Sequence, residues 1–434
     1  MSPEEMLQVL HKTLRHFFPA MRHWLDSLAD PRDPSRITYP FRSLFWSGVL
    51  MFVFHLSARR RLRYDLNSKG GLPNLNLLAE TELETLPHPD TLAYLFENLS
   101  PDSLDRLRRR MVRKLLRKRC LERFRLFDRF YLVAIDGTGY LSFRKPHSRH
   151  CLRKTLSNGV RLYYHPVLEA KLVCANGLAI SLGTEFLQNT DGHNKQDCEL
   201  KAFYRLLPRL RAAFPQLPIC LLLDGLYLNQ NVLSLVRKHR CEHIITFKEG
   251  SLPDAYREVE ALHALVAHQE IERTDGALRR HYRWVNDLVH GEHRFHALEC
   301  IETRPHGKAT RFLWATSFCV TAANVQTLSQ GGRLRWKIEN EGFNTQKNGG
   351  YRLEHAYSQD WQAARNFYLL MQIAHLIDQL IAKGNLLPAP LKQLFGSIRS
   401  FAARLLEAWR TATLQPHALQ RYLAQAIQIR FDSS

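Results

Sequence analysis

Apolar residues recur at helical spacing over roughly the first 125 positions, give way to short continuous runs in the middle, and return to helical spacing near the end. In "LRHFFPAMRHWLDSL" the large apolar side chains fall three and four apart, as on one face of an α-helix. "HPDTLAYLFENLSPDSLDRLRRRMVRKLLRKRCLERFRLF" predicts two further helices. Thr91 and Ser103, each near an Asp suited to the positive end of a helix dipole, lie close to their starts. The run "SLFWSGVLMFVFHLSARRR" is uncharged only from Ser43 to about Leu56, whereas a bilayer span needs roughly 20 apolar residues. It predicts a buried helix followed by a basic cluster, in a soluble protein.

From residue 130 the pattern predicts strands: "FYLVAIDGTGYLSF", "YYHPVLEAKLVC" and "GLAISLGTEFL", with a turn at Ala175-Asn176-Gly177. The amphipathic helix "QDCELKAFYRLLPRLRAAF" follows, then the buried strand "LPICLLLDGLYL", the helix "NVLSLVRKHR" and the strand "CEHIITFKEG". This order predicts an α/β fold, a central mixed sheet with flanking helices. Over 256–325 strand signals return without intervening long helices ("RRHYRWVNDL", "HRFHALECIETR", "TRFLWATSFCV"), as in a β-rich insertion. A helix over "GGRLRWKIENEGFNTQKNGG", closed by a Gly pair, comes next. The remainder is helical, divided by Pro388 and Pro390 into a long helix and a basic C-terminal tail. The long helix carries an apolar stripe (Leu369, Ile373, Leu376, Leu380) expected to pack on its own core rather than on a partner. The chain thus divides into a helical basic region (1–125), a sheet domain in two parts (126–255 and 326–385) around an insertion (256–325), and a helical tail (386–434).

A chain of 434 residues exceeds one comfortable core, which agrees with this division. Charge adds more: 61 Lys and Arg against 41 Asp and Glu leave a formal +20, which favours a polyanionic partner, nucleic acid above all. Between Arg106 and Arg125, Leu107, Met111, Leu115 and Leu116 supply a buried face, and the opposite side is almost purely cationic. Arg108, Arg109, Arg113, Lys114 and Arg117 are the candidate phosphate contacts. The eight cysteines form no CxxC pair and several lie in apolar runs, which reads as buried free thiols in a reducing compartment rather than disulfides or a zinc site. The N-terminus has no signal-peptide pattern, so a cytoplasmic location is expected. Neither HExxH nor a GxxxxGK[ST] phosphate loop occurs, and no nucleotide cofactor is expected.

The candidate chemistry lies in three acids. Asp136 and Asp224 each follow a strongly apolar strand and precede a Gly, at the sheet edge where ligands and catalytic groups collect. At 100° per residue, Arg335, Glu339, Phe343 and Lys347 share one helix face, and Glu341 lies some 200° from Glu339, so both cannot point into one site. In-line cleavage or joining of a phosphodiester stabilises the attacking and leaving oxygens together, as two Mg²⁺ ions do. Mg²⁺ prefers carboxylate and water oxygen.

On these three blocks, "VAIDGT", "LLLDGLY" and "RWKIEN", the sequence resembles the DDE transposases of bacterial insertion sequences, in the group with a Tyr-Arg-Glu-Lys signature. The resemblance implies a ribonuclease-H-like catalytic domain interrupted by a β-rich insertion. It implies Asp136, Asp224 and Glu339 as catalytic ligands of two Mg²⁺ ions, with Mn²⁺ as substitute, and Asp136 as the bridging ligand. Arg335 matches the signature Arg. Gly332 stands at the Tyr position, and Gln346 at the Lys position with Lys347 one place later. Arg335 and Lys347 are then expected at the DNA. The implied activity is cleavage of double-stranded DNA at transposon ends and strand transfer to target DNA by a homodimer assembled on DNA. Trp284 and Trp314, in the insertion, are expected to fill a core, as tryptophans in apolar strands do, with stacking of either one on a displaced base near the cleavage site as the alternative. "NKQDCELKAF" also looks family-like, as a helix flanking the site. Another ribonuclease-H-like nuclease and a non-catalytic DNA-binding relative acting as regulator are the alternatives.

Overall fold

The computed structural model describes residues 1–189, 196–265, 269–305 and 307–431. Seven helices precede the first strand: α1 (Pro3–Phe17), α2 (Met21–Asp26), α3 (Phe41–Val53), α4 (Arg60–Leu66), α5 (Gly71–Ala79), α6 (Pro89–Asn98) and α7 (Pro101–Arg117). Ser2 and Glu5 close α1 with a capping box. α6 and α7 begin ahead of Thr91 and Ser103, because Pro89 and Pro101 occupy the first helical position, where a missing N–H costs nothing. α3 is buried along nearly its whole length, as the uncharged run predicts. Among the described residues no helix is long and apolar enough to cross a membrane.

The strands are β1 (Tyr131–Phe143), β2 (Leu152–Thr155), β3 (Arg161–Val173), β4 (Ala179–Phe186), β5 (Ile219–Leu223), β6 (Glu242–Thr246), β7 (Glu270–Asp275), β8 (Leu278–His290), β9 (His293–Thr303) and β10 (Thr310–Thr316). They join in one ten-stranded sheet ordered β2-β3-β1-β5-β6-β10-β9-β8-β7, with β4 also on β3. β3 runs antiparallel to β1 and β4, and β5 and β6 run parallel to β1. The β3–β4 turn falls where expected, with Gly177 at φ +89° and Asn176 Oδ1 accepting from the Leu178 amide. The strands of 256–325 extend the edge of this same sheet through the antiparallel β6–β10 pair. Helix α10 (Pro253–Leu265) comes before them, where the sequence reading placed no long helix. Helices α8 (Glu199–Ala213) and α9 (Gln230–Lys238) connect the central strands.

Apolar cores lie on both faces of the sheet. One joins the sheet to the N-terminal helices and to α13 (Trp361–Lys383). The stripe Leu369, Ile373, Leu376 and Leu380 is buried within this core, and so is almost every other residue from Trp361 to Ile381, which leaves α13 no apolar face for a second chain. The other core, including Leu132, Ala134, Leu222, Ile244, Trp314, Ile338 and Phe343, is covered by α11 (Val325–Arg333) and the segment after it. α12 (Thr345–Asn348) ends that segment, and α14 (Leu391–Phe395), α15 (Ile398–Thr411) and α16 (Pro416–Ala424) complete the chain. Trp284 and Trp314 belong to this second core, and both are buried. Their inward positions in β8 and β10 match the expected core packing and correct the alternative, since neither ring is available for base stacking.

The cationic run of α7 also needs correction. Arg108 is 1% exposed: it pairs with Asp105, donates to Ser181 and Thr184, and lies 3.9 Å from Glu169 of β3. Its charge serves the interior, not a phosphate. Arg109 pairs with Asp105, and the exposed Arg113 donates to the Ala213 carbonyl at 2.6 and 3.0 Å, whereas Lys114 and the exposed Arg117 make no ion pair among the described residues. Removing Arg108 takes a buried cation from two carboxylates, leaving Asp105 to Arg109 and Glu169 to Lys171. Arg108→Ala is expected to cost about 3–5 kcal/mol, and Lys114→Ala to stay within about 0.5 kcal/mol, as read from urea unfolding midpoints.

Candidate active site

The two aspartates are aligned by strand register. β1 pairs with β5 only over Tyr131–Ala134, and Ala134 stands opposite Leu222. Two residues further along each strand come Asp136 and Asp224, at the same level of neighbouring strands that run about 4.8 Å apart. β1 itself does not stop at Asp-Gly, as the sequence suggested. It continues to Phe143 against β3, and what ends is its pairing with β5, so Asp136 stands beside an opened strand edge. Asp224 leaves β5 in extended backbone and its Oδ1 accepts from the Leu226 amide at 2.9 Å, starting a short 3₁₀ turn. Gly137 lets the Glu199 carboxylate approach closely: a Cβ there would lie 2.6 Å from Glu199 Oε2 and would make that side chain shift.

Glu339 arrives on a segment that is not a regular α-helix. After α11 the backbone makes a 3₁₀ turn (Leu334–Trp336), then a π-helical stretch (Ile338–Asn344), then α12. Stretches of this wide-turn kind occur frequently at functional sites. The single face expected at 100° per residue therefore divides. Arg335 and Glu339 stay together, Arg335 Nη2 donating to Glu339 Oε1 at 2.7 Å, while Phe343 enters the core and Lys347 pairs with Glu354 at 3.1 Å. Arg335, itself buried, also places Nη1 3.4 Å from Asp136 Oδ2, so one guanidinium joins the strand acid to the helix acid. Glu341 instead meets Lys337 at 3.0 Å. Gln346 is fully buried against Gln372 and His375. A Cβ on Gly332 would meet the Trp314 indole at 2.7 Å, which is why no larger side chain stands there.

A fourth acid joins these three. Glu199, in the first turn of α8, accepts from the Tyr227 hydroxyl at 2.6 Å. It lies in the "NKQDCELKAF" block, whose Asn194 and Lys195 fall outside the described residues; the block was visible, but a role for its Glu was not. Burial pushes the Glu199 carboxyl up, and the Tyr227 hydrogen bond opposes that while Asp224 adds to it. Asp136 is pushed up to about 7, first by burial, with Arg335 opposing and Glu339 and Glu199 reinforcing. Mutual repulsion of crowded carboxylates at one sheet edge is the arrangement that a cation relieves. The acids are more widely spread than a single-ion cage: among the described residues, the clusters with ligand atoms all within 4.8 Å are His147–Cys151–His165 and Glu260–His263–Glu299. Next to the acids, Trp336 is 50% exposed, with the Arg335 guanidinium 4.3 Å from its ring centroid. Its exposure could not be read from a sequence in which seven tryptophans look alike.

No protein-family model and no curated protein matches the sequence. Among solved structures, the chain is similar to a piggyBac transposase in a synaptic complex with hairpin DNA, with a TM-score of 0.41 and 11% identity over 96% of this chain and 84% of that one.

The raised carboxyl of Asp136 makes a stability prediction. Between its ordinary value near 3.8 and about 7, the folded protein holds a proton that the unfolded chain has lost. The stabilisation is complete below the ordinary value and disappears as pH rises through 7. Metal-free protein should therefore lose stability between pH 5.5 and 8. Asp136→Asn should flatten that decline and raise the pH 8 stability by about 1–2 kcal/mol, measured by urea unfolding at both pH values.

Proposed function

We propose that this chain is a metal-dependent DNA transposase with a ribonuclease-H-like catalytic core, which cleaves DNA at insertion-sequence ends and joins it to target DNA. The observation that carries the reading is that Asp136 and Asp224 each stand two residues beyond the paired Ala134 and Leu222 of adjacent parallel strands, with Glu339 tied to Asp136 through Arg335. The order β4-β3-β1-β5-β6, with β3 antiparallel and β5 and β6 parallel to β1, supports the fold reading. If the short β2 is set aside, Asp136 lies on the first strand and Asp224 directly follows the fourth.

The donor set is carboxylate oxygen throughout, which suits Mg²⁺, or Mn²⁺ in its place. Asp136, Asp224 and Glu339 would hold two such ions, which when bound stabilise the attacking and leaving oxygens of the phosphodiester. Arg335 holds Asp136 and Glu339 in place. Tyr227 fixes Glu199 beside them, at the flank of the site. Trp336, in place of Trp284 and Trp314, offers an exposed aromatic face for an unstacked base near the scissile phosphate. Lys114 and Arg117, with Arg109 and Arg113 beside them, supply positive charge for the DNA backbone. The active species is a homodimer on DNA in the bacterial cytoplasm. Because α13 is enclosed by its own chain, the dimer contact falls elsewhere and DNA offsets the repulsion between two +20 chains.

Asp136→Asn, Asp224→Asn and Glu339→Gln should each abolish Mg²⁺-dependent nicking of DNA carrying the element's ends and leave DNA binding intact, while Glu341→Gln stays active. Retained nicking by Glu339→Gln would overturn the assignment. Trp336→Ala should suppress the rise in fluorescence of 2-aminopurine at the terminal bases. The double change Lys114→Ala, Arg117→Ala should lower the slope of log affinity against log salt by about 2, measured by fluorescence anisotropy.

A further inference from the structure

Away from the acids, the segment between β1 and β2 folds back over β3 and gathers three ligand-type side chains. His147, Cys151 and His165 bring a ring nitrogen, a sulfur and a second ring nitrogen within 4.8 Å of one another. Cys151 Sγ lies 3.2 Å from His165 Nε2, and the Ser148 amide donates to the same sulfur at 3.2 Å. The imidazoles are held by flanking rings. His147 stacks on Phe143 at 4.2 Å between centroids, and His165 stacks on Trp361 at 4.0 Å. Both stacks leave the nitrogen-bearing ring edges free to converge.

Two observations argue against simple packing. Among the described residues, both ring nitrogens of His147 are buried and without a hydrogen-bond partner, although an unpaired buried polar group costs about 1–3 kcal/mol. His165 is completely buried, and its Nδ1 has no hydrogen-bond partner among the described residues. Burial holds both imidazoles in the neutral form, His165 down to about 3, the form in which histidine ligates a metal. The other compact group, Glu260–His263–Glu299, differs in kind, because Arg283 and Arg311 already neutralise Glu299.

We propose that His147, Cys151 and His165 bind one Zn²⁺, which pins the 144–151 segment to β3 and to the start of α13. Nitrogen and thiolate donors select a borderline-soft ion such as Zn²⁺ over Mg²⁺, so this site is chemically separate from the acids and does not depend on the reading of them. Zn–N and Zn–S bonds of about 2.0–2.3 Å require only a small contraction of the cluster. A ring nitrogen of His147 would gain the partner it lacks. The sequence pattern concealed the site, since the ligands are spaced His-x₃-Cys-x₁₃-His with no CxxC pair.

The test uses the full-length protein, equilibrated with Zn²⁺ and desalted, with metal content read by mass spectrometry. About one Zn²⁺ per chain is expected, falling below about a tenth in Cys151→Ser and in His147→Gln and unchanged in Asp136→Asn. Loss of the zinc in Asp136→Asn would assign the ion to the acids and overturn the proposal. Replacement by Co²⁺ should give tetrahedral visible bands together with a thiolate charge-transfer band in wild-type protein. Wild-type protein that retains no zinc and shows no charge-transfer band would also overturn the proposal, even if the variants failed to fold.

Discussion

The Arg335 guanidinium is buried between two carboxylates that belong to different layers of the structure. A buried cation without partners is strongly unfavourable, and so are Asp136 and Glu339 when crowded together without a cation. Each arrangement makes the other tolerable. Asp136 is fixed by β1, so Arg335 and Glu339 can meet it only if the segment following α11 lies down on the second core with Ile338 and Phe343 inward. The wide π-helical turn permits both requirements: it turns Phe343 into the core while Glu339 keeps its place at the sheet edge.

The same edge is prepared from the other face. Helix α8 brings Glu199 against Gly137, whose lack of a side chain lets the carboxylate come close, and Tyr227 holds it from the turn that Asp224 begins. Four acids thus converge from two strands and two helical segments in a protein whose overall charge is +20. Burial first, and then Glu339 and Glu199, push the Asp136 carboxyl up to about 7, and the Arg335 guanidinium opposes them.

Much of this was legible in the chain because the relevant signals are local. Apolar runs followed by Asp-Gly drew attention to Asp136 and Asp224, and angular position separated Glu339, which meets Arg335, from Glu341, which meets Lys337, even though the helix proved irregular. Signals that depend on partners distant in sequence were not legible. Arg108 resembles its neighbours in a run of arginines, and only the β3–β4 pair, with Glu169, Ser181 and Thr184, draws it inside. Trp284 and Trp314 were indistinguishable from Trp336 until the two faces of the sheet were assigned. The role of Glu199 required knowing which helix start meets the end of β1, and α10 lay hidden in a segment whose later strands dominated its pattern.

The continuity of the ten strands has a mechanical consequence. β10 through β7 hang on β6, and β6 shares with β5 the parallel ladder that continues to β1. A force applied to the outer strands is carried by the same hydrogen bonds that keep Asp224 level with Asp136. The outer half of the sheet is then less an appendage than a lever arm, and its stiffness sets how faithfully a distant push is felt between two aspartates.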